Sequence, residues 1–303
     1  MQKIDAHTHV FEVIAGFGFR GELRGIGNGK ARWANGEEIN LIPSDLGDRS
    51  FTDDALASVL EKNNISRSIL LQGSFYGFQN DYAWQAAQKR PNLFIPAATL
   101  DPFCKAADKL LYRFLYEKKI RIIKFEASSG GGLMGFHTDF ALDGPVFSDL
   151  FAAVDKAGAV LVLDIGSPGM ASFQPDAVAA VAKRHPGMHI VVCHLLAPRP
   201  GDDVPFSEGI KQLSLPNIWF DLAALPWNVQ PEAYPFPSAL NFLSIAKKIA
   251  GPEKLVWGTD TPSTLTRESY SGLSDYLEES GLFNDTELEK VFCSNAKDAY
   301  SLR

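Results

Sequence analysis

The chain is 303 residues long and 46% hydrophobic, with 36 acidic against 29 basic residues and a formal net charge of -7. That content can bury one large core, and an acidic balance without any basic run argues against nucleic acid or an anionic membrane as partner. Cys104, Cys193 and Cys293 are too few and too far apart for a disulfide framework, and no apolar run approaches the roughly 20 residues of a membrane span. The first residues lack the charged-then-apolar pattern of a secretory signal, so the expectation is a soluble, cytoplasmic protein.

In chain order, Lys3-Ile4-Asp5-Ala6-His7-Thr8-His9-Val10 reads as a strand that starts almost at once. Period-two alternation puts Asp5, His7 and His9 on one face. Two neutral imidazoles at i and i+2, near a strand end, can reach one metal ion from the same side. Residues 11–50 are Gly-rich, contain Arg20, Arg24, Arg32 and Trp33, and read as a long irregular loop of the kind that carries function. A helix follows over 51–63, with Thr52 or Asp53 as N-cap. Strands are predicted over 68–72, 93–98, 121–126, 159–164, 189–194, 217–222 and 254–260. Helices fall between them over 81–89, 105–117, 145–157, 176–183, 207–213 and 238–249, and two more, 269–279 and 286–299, close the chain. Eight short apolar strands, each followed by a helix, imply a parallel sheet covered on both faces. No GxGxxG follows the first strand and no linker divides the chain. The prediction is an α/β fold, a single (β/α)8 TIM barrel over residues 1–303, with a long loop after the first strand and an extra C-terminal helix.

In such barrels the chemistry sits at the C-terminal ends of the strands. The first strand offers His7 and His9 there. The fourth offers Lys124 and Glu126 on one inward face, and the fifth ends in Asp164, on the face of Val160 and Val162. The sixth ends in His194, on the face of Ile190 and Val192, with Cys193 opposite and packed against the outer helices. The seventh offers Asp221, to bind substrate or to pair internally, and the eighth offers Asp260.

Asp5-Ala6-His7-Thr8-His9, the sixth-strand histidine, Trp257-Gly258-Thr259-Asp260 and Ser294-Asn295-Ala296 together resemble the amidohydrolase superfamily. Within it they are most similar to the amidohydrolase-2 branch, which includes aminocarboxymuconate-semialdehyde decarboxylase, related decarboxylases and lactone hydrolases. The resemblance runs from the first strand to the Asn-Ala near the C-terminus. It implies that His7 and His9 are metal ligands, that Asp260 is a ligand that also takes a proton from metal-bound water, and that His194 is a ligand or the general acid/base. The implied cofactor is a divalent metal, Zn2+ first and Mn2+ second. Family members carry a histidine at the end of the fifth strand, where this chain has Asp164. Coordination by Asp164 would give a more oxygen-rich site, suited to Mn2+ or Mg2+; otherwise Glu126 would supply the missing ligand. Some branches bridge two metals with a carboxylated lysine or a glutamate near this position, so a two-metal site at Lys124 and Glu126 stands beside a plain buried ion pair of Lys124 with Glu126 or Asp164.

Four residues are candidate substrate contacts: Lys124, His137 in the loop after the fourth strand, Arg32 in the long first loop and Trp227 after the seventh strand. The arginine would serve a substrate carboxylate. His185 and His189 lie at the other end of the barrel and are structural. The expected activity is metal-dependent hydrolysis of a small lactone, ester or amide through metal-activated water. Non-oxidative decarboxylation of an aromatic or unsaturated acid is one alternative, and a binding protein that has lost its metal is the other. The partner is a small molecule, with a carboxylate as one candidate, and the apolar stretch at Pro226-Trp227 and Pro235-Phe236-Pro237 is expected to serve contacts in a homo-oligomer.

Overall fold

The computed structural model describes residues 1–302. After β1 (Lys3–Thr8) come four short strands, β2 (Ala15–Gly18), β3 (Gly21–Gly27), β4 (Lys30–Trp33) and β5 (Glu38–Asn40). The remaining strands are β6 (Ile65–Leu70), β7 (Phe94–Pro96), β8 (Ile122–Glu126), β9 (Val160–Asp164), β10 (Ile190–Val192), β11 (Ile218–Asp221) and β12 (Leu255–Val256). Strands β1, β6 and β7 form one parallel sheet, and β8 to β12 form another in sequential order. The two sheets join at both edges. On one side Ala98 N–H donates to Ile122 O at 2.9 Å and Lys124 N–H donates to Ala98 O at 2.8 Å. On the other, Ala6 N–H donates to Trp257 O at 3.2 Å, and Thr8 bridges Thr261. The eight strands thereby close a (β/α)8 barrel, as the alternation of elements predicts.

Both faces of these strands are buried, which is why they read as continuous apolar runs. Inside, Ile4, Ala6, Ile69, Leu71, Ile122, Val160, Val162, Val191 and Val256 pack together, and Cys293, Ala296, Ala299 and Tyr300 of the C-terminal helical segment pack with them. That segment is the expected extra helix, and it seals the N-terminal mouth: Asn295 Nδ2 donates to Pro252 O and Leu255 O, both at 2.7 Å, just before and at the start of β12. Outside, Phe125, Leu163, Ile190, Val192 and Phe220 meet Phe147, Phe151, Phe206 and Phe242 of the surrounding helices. The stretch expected to mediate contacts between chains is folded partly inward. Pro226 is buried, and Phe236 packs edge-on to Tyr276 at 5.7 Å between centroids.

Residues 11–50 are not an irregular loop. They carry a four-stranded antiparallel sheet in the order β2-β3-β4-β5. Between β3 and β4, Asn28 and Gly29 both take positive φ, 53° and 70°, the two-residue hairpin turn whose twist matches that of its flanking strands. A Cβ on Gly29 would lie 1.9 Å from Ile42 O, so glycine is required there. The alternation is hard to read because the buried face of β2 is made of Gly16 and Gly18, while its exposed face carries Ala15 and Phe17.

Alternation fails along β1 as well. Asp5 pairs with Ser68 and Thr8 with Leu70, so two residues, Ala6 and His7, oppose one, Ile69, across a bulge. Asp5 therefore does not share the face of His7 and His9. Its Oδ1 accepts from His7 N–H at 3.2 Å and Thr259 N–H at 3.0 Å, and its Oδ2 accepts from Thr259 Oγ1 at 2.7 Å and the Tyr270 hydroxyl at 2.6 Å. Asp5→Ala would strand these donors at a position with no solvent exposure. The expected cost is about 3 kcal/mol or more, read as a lower urea midpoint, with Asp5→Asn less harmful because its amide keeps one acceptor. A loss below about 1 kcal/mol for the alanine variant would mean that this carboxylate does not hold the barrel seam.

Candidate active site

Three histidines meet at the C-terminal mouth, and each is oriented through its Nδ1. His7 Nδ1–H donates to Asp221 Oδ2 at 2.5 Å, His9 Nδ1–H to Leu71 O at 2.9 Å, and His194 Nδ1–H to Ala223 O at 3.0 Å. A backbone carbonyl can only accept, which assigns the hydrogen of His9 and His194 to Nδ1 and leaves Nε2 with a lone pair in the neutral ring. Asp260 Oδ1 then lies 3.0 Å from His9 Nε2 and 3.6 Å from His7 Nε2. Burial, partly offset by Asp260, holds His9 below its ordinary value, so a neutral imidazole lone pair faces a carboxylate. Two acceptors at that distance need a shared cation. The nitrogens of His7 and His9 and one oxygen of Asp260 all lie within 4.8 Å of one another, as do ligand atoms of His7, Cys193 and His194. The residues present therefore fit a divalent ion.

His194 reaches this point by an unexpected route. Val191 and Cys193 face the barrel interior, whereas Ile190 and Val192 face the helices. Simple alternation would then send His194 outward. Instead the chain turns sharply after β10: His194, Leu195, Leu196 and Ala197 have φ of 59°, 49°, 64° and 44°. Four consecutive non-glycine residues in the left-handed region are strained, a condition that clusters at functional sites. The expected placement of His194 beside Ile190 and Val192, with Cys193 against the outer helices, is thus corrected on both counts. Asp260 also has positive φ, 62°, just past β12, where its N–H donates to His7 O at 2.8 Å.

The charges interlock. Burial pushes the Asp260 carboxyl up, but the close approach of His9, with His7 and His194 nearby, outweighs it and holds it well below the ordinary carboxylate range. For His194 burial acts downward, and Asp164, Asp260 and Asp221 raise it above its ordinary value. Lys124 Nζ lies 3.3 Å from His7 Nε2. Burial acts against the Lys124 ammonium, yet Cys193, Glu126, Asp164 and Asp260 raise its pKa. Burial pushes Glu126 up to about 7, with Lys124 pulling it down and Asp164 pushing it up. Asp221, left open between two roles by the sequence, is the internal partner of His7; burial raises it to about 6 against the pull of His194.

The mouth opens into a cavity of about 550 Å3 lined by His9, Lys124, Glu126, His194, Trp227 and Asp260, together with Tyr76, Ser263 and Arg267. That volume suits a small ligand. Glu38, Ile39, Asn40 and Leu41, from β5 and its end, form part of the wall. Glu126 and Asp164 stand outside both groups of ligand atoms. Glu126 Oε2 accepts from Phe75 N–H at 3.1 Å, and Asp164 Oδ1 accepts from Gly166 N–H at 2.9 Å while its Oδ2 lies 3.9 Å from His194 Nε2. Two expected substrate contacts are directed elsewhere. His137 Nε2 pairs with Asp101 at 2.9 Å and its ring packs on Phe103, and exposed Arg32 pairs with Glu38 at 2.6 Å. Arg267 was not singled out from the sequence, although a cation in the segment after the eighth strand lies on the side where such sites form.

Residues 4–302 match the family model described as amidohydrolase. No curated protein matches the chain. Among solved structures, the chain is similar to a probable 2-pyrone-4,6-dicarboxylic acid hydrolase from Acinetobacter baumannii with citric acid bound, at TM-score 0.70 and 18% identity over 99% of this chain and 100% of the other. An amidohydrolase from Burkholderia multivorans with bound zinc aligns at TM-score 0.73 and 17% identity over 100% of each chain. The 5-carboxyvanillate decarboxylase from Sphingomonas paucimobilis aligns at TM-score 0.57 and 14% identity over 82% of each chain. Likeness at these identities establishes the fold.

Glu126 generates a pH prediction. Its folded pKa of about 7 exceeds the ordinary 4.5, so the folded chain binds its proton more tightly than the unfolded chain does. The stability tied to this proton is present below about pH 4.5 and is lost as the pH rises through about 7. Glu126→Gln should flatten that part of the fall in thermal midpoint across the same window. Equal slopes in the variant and the wild type would show that Glu126 is already ionised in the fold.

Proposed function

The chain belongs to the amidohydrolase family, and on that premise we propose that it is a metal-dependent hydrolase of a small lactone, ester or amide. The observation that carries this reading is the set of three histidines, each pinned through Nδ1, beside a carboxylate that lies 3.0 Å from a lone-pair-bearing His9 Nε2. His7, His9 and Asp260 would hold the ion, with His194 beside them. Zn2+ suits a donor set of imidazoles and one carboxylate, and Mn2+ is the second choice. When bound, a divalent ion lowers the pKa of a coordinated water to about 7 and polarises a carbonyl.

The protein side supplies the proton path. Asp260 stays ionised and has a second oxygen, Oδ2, that lies 3.5 Å from the Ser263 hydroxyl, so it can accept a proton from water held at the mouth. His194, biased toward its protonated form by Asp164, Asp260 and Asp221, is placed to return a proton to the leaving oxygen or nitrogen. Asp221 and the carbonyls of Leu71 and Ala223 keep each ring in one tautomer, the part that such outer partners play at metal centres. The citric acid in the Acinetobacter baumannii neighbour supports a small anionic substrate.

A second reading rests on Lys124. Its ammonium, 3.3 Å from His7 Nε2, supplies a positive charge beside the histidines without an ion, as a barrel that has lost its metal would require. Elemental analysis separates the two. Wild-type protein incubated with Zn2+ should retain about one ion per chain after gel filtration, and His7→Ala and His9→Ala should lose it. Asp221→Asn should bind it roughly 10- to 100-fold more weakly. Retention below about 0.1 ion per chain, with neither Zn2+ nor Mn2+ restored, would favour the Lys124 reading. A panel of lactones and aromatic carboxylic acids, scored for acid release and for CO2, should give acid release from lactones. Release of CO2 alone would make the protein a decarboxylase.

A further inference from the structure

The carboxylates on the cavity wall are already matched within the protein. Glu38 pairs with Arg32, Glu126 accepts from Phe75 N–H and feels Lys124, and Asp260 is committed to the group of ligand atoms with His7 and His9. Arg267 lines the same cavity and is solvent-exposed, yet among the described residues no carboxylate lies within 4.0 Å of its guanidinium. What holds it is Trp227: the guanidinium carbon stands 4.4 Å from the ring centroid. A cation placed over a ring in this way uses none of its N–H donors. A planar cation with free donors, seated beside a catalytic centre, is the arrangement that recognises a carboxylate by paired hydrogen bonds.

We infer that Arg267, seated on Trp227, is the carboxylate-binding residue of this cavity and selects small acidic substrates. The inference deepens the hydrolase reading and rests on it for turnover, although binding can be measured without turnover. Arg32, the arginine that the sequence offered for this task, is engaged by Glu38, which leaves Arg267 as the arginine on the cavity wall. Arg267 and Trp227 also border a neighbouring cavity of about 530 Å3, beside Gln230, Tyr234 and Phe236. An alanine at position 267 would open one space into the other, so Arg267→Gln, which keeps a long polar arm without the charge, is the sharper variant. Arg267→Lys keeps the charge without the fork.

The test is calorimetric titration of the Zn2+-loaded protein with isophthalate, a planar dicarboxylate, and with isophthalamide, its neutral counterpart. Arg267→Gln should weaken isophthalate binding by about tenfold or more, the size expected for lost charge-assisted hydrogen bonds, with Arg267→Lys intermediate and isophthalamide unaffected. For a lactone that the wild type hydrolyses, the carboxylated form should show KM about tenfold higher in Arg267→Gln with kcat nearly unchanged, and its methyl ester no change. Equal weakening of both probes, no change in either, or no binding of isophthalate by the wild type would overturn the inference. If no lactone, ester or amide is turned over while the calorimetric difference is present, the hydrolase reading fails and the carboxylate site stands. If lactones are hydrolysed and the difference is absent, the reading stands and Arg267 loses its role.

Discussion

A single buried carboxylate, Asp5, holds the first and last strands of the barrel together. Its four hydrogen bonds tie the backbone of His7 to both donors of Thr259 and to the Tyr270 hydroxyl. Burial pushes Asp5 up to about 7 in spite of those bonds, so the clamp is made at an energetic cost that its partners only partly offset. The result is positional. With Thr259 fixed, Asp260 N–H meets His7 O and the Asp260 side chain reaches His9, so the closure of the barrel and the assembly of the site are one event. The sequence Asp-Ala-His-Thr-His thus contains both a fastener and two site residues, and a bulge separates their directions.

The tautomers of the three histidines follow from the same closure. Asp221 ends β11, Ala223 lies two residues beyond it, and Leu71 immediately follows β6. Each acceptor belongs to a different strand end from the ring that it orients. The left-handed turn at His194 to Ala197 is held by packing, since Leu195 and Leu196 are fully buried in the helical layer. Local strain of about 1–3 kcal/mol per residue is tolerable where the surroundings over-determine the conformation.

Much of the barrel was legible because its strands bury both faces and its helices begin and end at proline, glycine and capping residues. Thr52, for example, accepts from Ala55 N–H at 3.2 Å as an N-cap should. His7, His9 and Asp260 were legible as a group because their spacing and strand-end positions are unusual for imidazoles and carboxylates. What escaped was wherever alternation breaks. The bulge turned Asp5 away, the left-handed turn brought His194 to the side that Cys193 already faced, and glycine on the buried face of β2 hid a sheet. Side chains in loops escaped for a different reason. His137 and Arg32 lie where a substrate contact belongs, but nearby Asp101 and Glu38 satisfy them first. Arg267 looks ordinary in sequence; its place over Trp227 on the cavity wall, with no carboxylate within 4.0 Å among the described residues, distinguishes it.

The antiparallel sheet inserted after β1 does more than fill space beside the mouth. A Cβ on Gly16 would lie 1.8 Å from Phe75 O, and one on Gly18 would lie 2.9 Å from Gly130 O, so the sheet meets the loops after β6 and β8 backbone to backbone. Phe17 N–H donates to Ser74 O and Phe19 N–H to Gly130 O, both at 2.9 Å, across the same seam. Through β3 and β4 the wall that β5 contributes is thus joined to the segment whose Phe75 N–H holds Glu126. Side chains at its rim, around Glu38 to Leu41, can change without touching the glycine seam, which keeps the sheet in register with the loops beside the three histidines. The shape of the cavity wall is in this way separated from the geometry of the histidine cluster.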